Sequence, residues 1–326
     1  MQETMSQAAA RLPEIRTRID VPFTIVNLVT TVAPLVLVFF YHTPSSIIAF
    51  LVCYTIFGLG LTVGYHRLFS HAALRVPKWL EHTIAICGYL AIQRGPLFWV
   101  AMHRLHYKYV DVPGKDPHTP KEGLWHVHFG WTHERRSDVW DPDVYRVWVP
   151  DLVDDKLYRF MDHEAADYAA YVLLNTSAFV AGGLLGQPGT FDTHNAISFL
   201  VWVGMLNRVA LLHAFGFINS VCHLVGSRPF RTKEGDQSTN NLLVSLLIFG
   251  EGWHNNHHAF PGSARQGLRW YQIDPSWYTI CLLEKLGLAR NVRRVSQRME
   301  ERKLRKKNPA PEPLAEAAPT GVATQR

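Results

Sequence analysis

Residues 21–66 read VPFTIVNLVT TVAPLVLVFF YHTPSSIIAF LVCYTIFGLG LTVGYH, without one Asp, Glu, Lys or Arg. A helical crossing of the bilayer core needs about 20 apolar residues. This run of 46 therefore suffices for two. His42-Thr43-Pro44-Ser45 interrupts it with a proline and two hydroxyls, which marks a turn. The pattern predicts a first span near 21–40 and a second near 47–64. A further uncharged run over 168–191, broken by Gly186-Gln187-Pro188-Gly189, predicts a third near 169–185. A fourth is expected near 196–218, with Arg208 inside it. One such run alone also fits a buried core helix of a soluble protein. Four runs in two hairpins argue against that. The first run is too long, and begins too far in, for a secretory signal peptide.

Charge gives the sidedness. The connections at 42–46 and 187–195 carry no Lys or Arg, while the N-terminus, residues 67–167 and the C-terminal third hold nearly all 33 basic residues. By the positive-inside rule both termini and the long middle segment face the cytoplasm. The expected fold is an all-α, multi-pass integral membrane protein: four transmembrane helices under a helical cytoplasmic cap. The expected organisation is a cytoplasmic segment over 1–20, a membrane domain over 21–293, and a tail over 294–326. That tail is basic and amphipathic over 293–307, then rich in Ala and Pro and expected to be disordered over 308–326. Scattered cysteines (Cys53, Cys87, Cys222, Cys281) in apolar surroundings exclude a disulfide scaffold. The net charge of +6 suits a cap lying on anionic lipid head groups, and no basic-aromatic groove points to nucleic acid.

The chemistry is carried by histidine, of which there are 17. His66-Arg67-Leu68-Phe69-Ser70-His71 leaves the second span, and His103-Arg104-Leu105-His106 follows. His223 closes the fourth span in Asn219-Ser220-Val221-Cys222-His223, and Gly250-Glu251-Gly252-Trp253-His254-Asn255-Asn256-His257-His258 comes last. Residues three and four apart share a helix face, so His103 with His106, and His254 with His257 and His258, are expected to point together. His66 and His71, five apart, stand about 140° apart on an α-helix. They are expected to approach from different directions or to serve two ions. Imidazole suits zinc, copper, iron and nickel, and eight exceed what one tetrahedral zinc needs. Two adjacent metals would use them. His42, His82, His126, His133, His163, His194 and His213 are expected to be ordinary core or surface residues. No His-Glu-x-x-His motif supports a zinc hydrolase, and no Cys cluster supports an iron–sulfur centre.

These motifs resemble the membrane fatty acid desaturase family, in its acyl-CoA and acyl-lipid delta-9 branch. The box from His66 to His71 is close to that family's HRLWSH, and His103 to His106 resembles its HRxHH. Asp116-Pro117-His118, Gly130-Trp131 and the segment from Gly250 through His258 to Pro261 are similar as well. The likeness runs from about residue 21 to about residue 293. It implies two irons held by nine histidines, with O2 as co-substrate, and removal of hydrogen from a long fatty acyl chain. The chain would ride on CoA, a lipid or a carrier. By position it implies His66, His71, His103, His106, His223, His254, His257 and His258 as ligands, with Asn219 holding an iron-bound water. It implies Gln93, Trp99 and Trp131 at the substrate. Electrons would come from a separate ferredoxin- or cytochrome-type protein, docked on the basic cap.

The sequence departs from that pattern in three places, and a further residue, Arg208, stands out within its span. Tyr107 stands where the family has its ninth histidine. It is a substitute phenolate ligand, or it leaves one metal open or absent, or it packs while water fills the shell; His126 is a further stand-in. Phe215-Gly216 stands in place of Thr-Trp, and Arg94 in place of glycine. Arg208 is either a buried charge with a functional partner or a side chain that snorkels to the interface. Two alternatives to desaturation follow: hydroxylation of an acyl chain at the same centre, and a metal-depleted homologue that only binds lipid.

Overall fold

The computed structural model describes residues 17–140 and 142–304, so the expected disordered stretch over 308–326 lies outside the described residues, as does most of the segment 1–20. A short antiparallel pair, β1 (Thr17–Ile19) with β2 (Glu134–Arg136), sets Arg18 opposite Arg135 and ties the start of the chain to the middle segment. Asp20 then caps α1 (Val21–Leu37), its carboxylate accepting the Phe23 amide at 3.2 Å. This helix is shorter than the expected 21–40, because the chain already turns over Val38–Tyr41.

α2 (Pro44–Ser70) starts at the expected turn. There Thr43 and Ser46 bond reciprocally as a capping box. It runs six residues past the expected end at Gly64 and so carries His66 within the helix. Over Gly60–Ser70 its winding is π, and the His71 amide donates to the His66 carbonyl at 3.2 Å. α3 (Lys78–Tyr89) packs against this stretch, and α4 (Pro96–Tyr109) carries the second histidine pair. Asp162 accepts the Leu97 and Phe98 amides at 2.7 and 2.9 Å, capping α4 from a distant part of the chain. Arg104 reaches back to the carbonyl of Phe69 at 2.7 Å, which fixes α4 against the end of α2.

α5 (Glu164–Leu185) and α6 (Thr193–His223, π-wound over Leu200–Leu206) form a second hairpin. Its turn meets the first one: Asn195 accepts from Thr43 at 2.6 Å and donates to the Gly182 carbonyl at 2.6 Å. Both connections without Lys or Arg therefore lie at one end of the helices, and every histidine box lies at the other. The outward faces are apolar and exposed, as at Val29 and Val32 on α1 and Leu173 and Leu184 on α5. Such continuous apolar surface is what lipid, not water, would cover. Among the described residues three helices are long and apolar enough to cross a membrane: α2 with 27 residues, α5 with 22 and α6 with 31. The apolar part of α1, Phe23–Leu37, is shorter.

Candidate metal centre

Eight histidines from four elements converge at one end of the helices, and they are the eight the sequence singles out. His66, His71, His103 and His257 form one group and His106, His223, His254 and His258 a second, each with its ligand nitrogens within 4.8 Å of one another. Six are buried, and His71 and His103 are half-buried. The partition differs from the helical expectation. His66 and His71 share a group because the π-turn brings positions five apart onto one face, and their ring centres lie 4.9 Å apart. His103 and His106, expected together, go to neighbouring groups. α4 thus straddles the pair of sites. So does the short α7 (His254–Ala259), which sends His254 and His258 to one group and His257 to the other.

Carboxylates stand behind four of the eight histidines. His66 Nδ1 meets Glu251 at 2.5 Å, and His106 Nδ1 meets Asp116 at 2.9 Å. His223 Nδ1 meets Asp111 at 3.0 Å, and His258 Nδ1 meets Asp236 at 2.9 Å. A proton held on Nδ1 in this way leaves the Nε2 lone pair facing inward, the tautomer a metal requires. Nε2 atoms accordingly face one another, His66 to His257 at 2.8 Å and His71 to His103 at 2.8 Å. The buried Nε2 of His258 has no hydrogen-bond partner among the described residues. Imidazole nitrogens crowded lone pair toward lone pair are satisfied by cations, so the donor set fits two metal ions.

Electrostatics keep these donors ready. Burial first, and then neighbouring imidazoles, holds His71, His103, His254 and His257 well below the ordinary histidine range. Burial also lowers His258, to about 4. His106 goes the other way, because Asp116 outweighs the effect of burial. Burial raises Asp111, Asp116, Asp236 and Glu251, yet adjacent imidazoles, with Arg67 at Glu251, leave all four lowered and charged.

The third box shows why its glycines are there. Gly250 has φ +104°, and a Cβ on it would lie 2.3 Å from Asp274 Oδ1. The turn presents Glu251 to Arg67, which is fully buried and bonds both Glu251 at 3.1 Å and Asp274 at 2.9 Å. These acids, Arg67, and His118 against the His106 ring at 4.4 Å stand around the two groups and were not singled out as site residues from the sequence. The signal was partial: Glu251 lies inside the quoted box, and Asp116 and His118 inside a matched tripeptide. Asp111 and Asp236 gave none.

A cavity runs from the histidines between α1, α5 and α6. Gln93, Trp99, Trp131 and Asn219 all line it, together with His66, His103, His106 and His254. Trp99 stacks on His103 with the rings 16° from parallel, and Phe215 stands edge-on to Trp99 at 88°. Gly216 admits the backbone of His128, whose carbonyl would lie 2.6 Å from an added Cβ. That close approach accounts for a glycine here. Arg94 also lines the cavity, at φ +75°, a conformation that favours glycine, and pairs with Asp167 at 3.4 Å. Arg208 is buried and bonds Asn27 and Thr30, so it does not snorkel. His126 lies with Glu122 at 3.1 Å and Glu134 at 3.3 Å, in neither group, and is no stand-in ligand. The other histidines read as ordinary are likewise outside both groups.

The chain belongs to the fatty acid desaturase family, whose model matches residues 42–280. It is 40% identical to the Delta-9 acyl-lipid desaturase 2 of Arabidopsis thaliana, over 78% of this chain and 76% of that protein. It is 39% identical to the sn-2 palmitoyl-lipid 9-desaturase of Nostoc sp. (strain 36), over 78% of this chain and 83% of that one. To the Icosanoyl-CoA 5-desaturase of Limnanthes douglasii it is 41% identical, over 72% and 61%. The resemblance read from the boxes is thus borne out.

Proposed function

We propose that the chain is an O2-dependent fatty acyl desaturase of delta-9 type, acting at two irons held by His66, His71, His103 and His257 and by His106, His223, His254 and His258. The observation that carries this reading is the shared wall: His66 and His103 of one group and His106 and His254 of the other line one cavity with Gln93, Trp99, Trp131 and Asn219. The irons would supply the oxidising power to break an unactivated C–H bond. Two hydrogens leave adjacent methylenes, and these with two electrons and two protons convert O2 to two waters. The chain's own residues do the rest. Carboxylates hold His66, His106, His223 and His258 in one tautomer, and Trp99 with Phe215 shapes the wall beside His103. Asn219 would hold a metal-bound water, and the apolar cavity excludes bulk solvent and positions one methylene.

The substrate is a long acyl chain on a lipid, CoA or a carrier, with electrons from a separate ferredoxin- or cytochrome-type donor docked on the basic cap. The short α1 would serve as a fourth span beside α2, α5 and α6, with both termini and the metal site cytoplasmic. The test is expression in cells lacking their own desaturase, with total fatty acids analysed for position of unsaturation. A new Δ9 double bond, absent in His257→Ala, is the expected result. A hydroxylated chain, or no product from iron-loaded protein given O2 and reductant, would overturn the reading.

A further inference from the structure

We propose that Tyr107 is itself a metal ligand, its Oη joining His66, His71, His103 and His257 around one ion so that the two metals have chemically different coordination. This rests on the reading that those histidines hold iron. Tyr107 sits on α4 four residues after His103, hence on the same helix face. Its ring lies 4.8 Å from His71, 4.9 Å from His103 and 5.5 Å from His257, measured between centres, and also 4.9 Å from His258 and 5.7 Å from His106 of the other group. Three imidazoles of the first group and two of the second therefore surround it, and the helix face shared with His103 is what assigns it to the first.

Its hydroxyl has nothing else to do. Tyr107 Oη is buried and has no hydrogen-bond partner among the described residues. A hydroxyl taken from water without a partner is costly, and buried polar groups are almost always satisfied by something. Substrate does not satisfy this one, because Tyr107 is not among the residues lining the cavity, nor are His71 and His257. The phenol thus reaches the group from the side away from the cavity. Its backbone is pinned as well, with Lys233 Nζ donating to the Tyr107 carbonyl at 2.7 Å.

The chemistry matches a gap in this group. Only His66 there has a carboxylate on Nδ1, whereas three histidines of the other group do. An anionic oxygen donor would supply negative charge where acids are fewest. On binding, the Oη–H bond is replaced by an Oη–metal bond and the proton passes to solvent. A hard oxygen donor favours ferric over ferrous iron, so this ion would be the harder of the two to reduce.

The test is visible absorption and resonance Raman of the full chain in detergent, loaded with iron and oxidised in air. A phenolate-to-ferric charge-transfer band with enhanced tyrosine ring modes is expected. Tyr107→Phe and Tyr107→His, each retaining iron, should lose both entirely. Tyr65→Phe, which removes another buried, unpartnered hydroxyl, should keep them. Iron-loaded wild type without phenolate modes, or modes that survive in Tyr107→Phe, would overturn the inference and leave the desaturase reading standing. Protein that binds no iron at all would overturn both.

Discussion

The two histidine groups have the same four-imidazole donor set but differ in what stands behind it. In the His106, His223, His254 and His258 group all four rings are buried and three rest on Asp116, Asp111 and Asp236. In the His66, His71, His103 and His257 group two rings are half-buried and only His66 rests on an acid, Glu251. Glu251 in turn is held by Arg67, which spends part of its negative charge. The first arrangement is a rigid, anionic cradle. The second is more open, closer to neutral and bounded by Tyr107. Four imidazoles apiece thus make unequal sites, and part of the inequality resides in residues that touch no metal.

Removing a ligand should have the largest effect. His103→Ala or His257→Ala is expected to abolish acyl oxidation while the protein still purifies as a folded, monodisperse species. Wild-type-like turnover in either would strike that residue from the ligand set. Removing a supporting acid should cost less, about 10- to 100-fold in metal affinity. Asp116→Asn and Asp236→Asn should selectively weaken the second ion, and Glu251→Gln the first, as read by iron per chain after graded dialysis against a chelator. Equal loss of both ions in each variant would contradict the assignment of acids to groups.

Two smaller effects sharpen the comparison. Tyr107→His is expected to keep activity within a few-fold of wild type or raise it, since imidazole can replace the phenolate. Complete loss would show that the tyrosine is indispensable in its own right.

The second concerns pH in iron-free protein. His71, His103, His254, His257 and His258 bind protons less readily folded than unfolded, so stability is lost as pH falls from about 6.5 toward about 4. His106 acts in the opposite sense. Thermal unfolding of the iron-free form should therefore move to lower temperature between neutral pH and about pH 5. A flat or rising midpoint would contradict the burial argument.

Much of this was legible beforehand, for reasons particular residues make plain. The charge-free run over 21–66 and the prolines and glycines that break the apolar segments located the hairpins, because span length and turn chemistry are local properties. The eight histidines were legible because ligands must be the right residue type. Their grouping was not. It depends on the π-winding over Gly60–Ser70, which no spacing rule for an α-helix anticipates. The acids were also hidden: Asp236 reaches His258 across 22 residues of chain, and Asp111 reaches His223 across 112. The end of α1 at Leu37 was set by an early turn that hydrophobicity alone did not reveal.

The central claim is that this chain holds two metal ions in two unequal histidine groups. The most direct test is iron and zinc per chain in detergent-purified protein made with iron available. The account predicts close to two irons and little zinc, with the iron leaving in two separable steps under a chelator. One iron or none in well-folded protein, or zinc in its place, would contradict it.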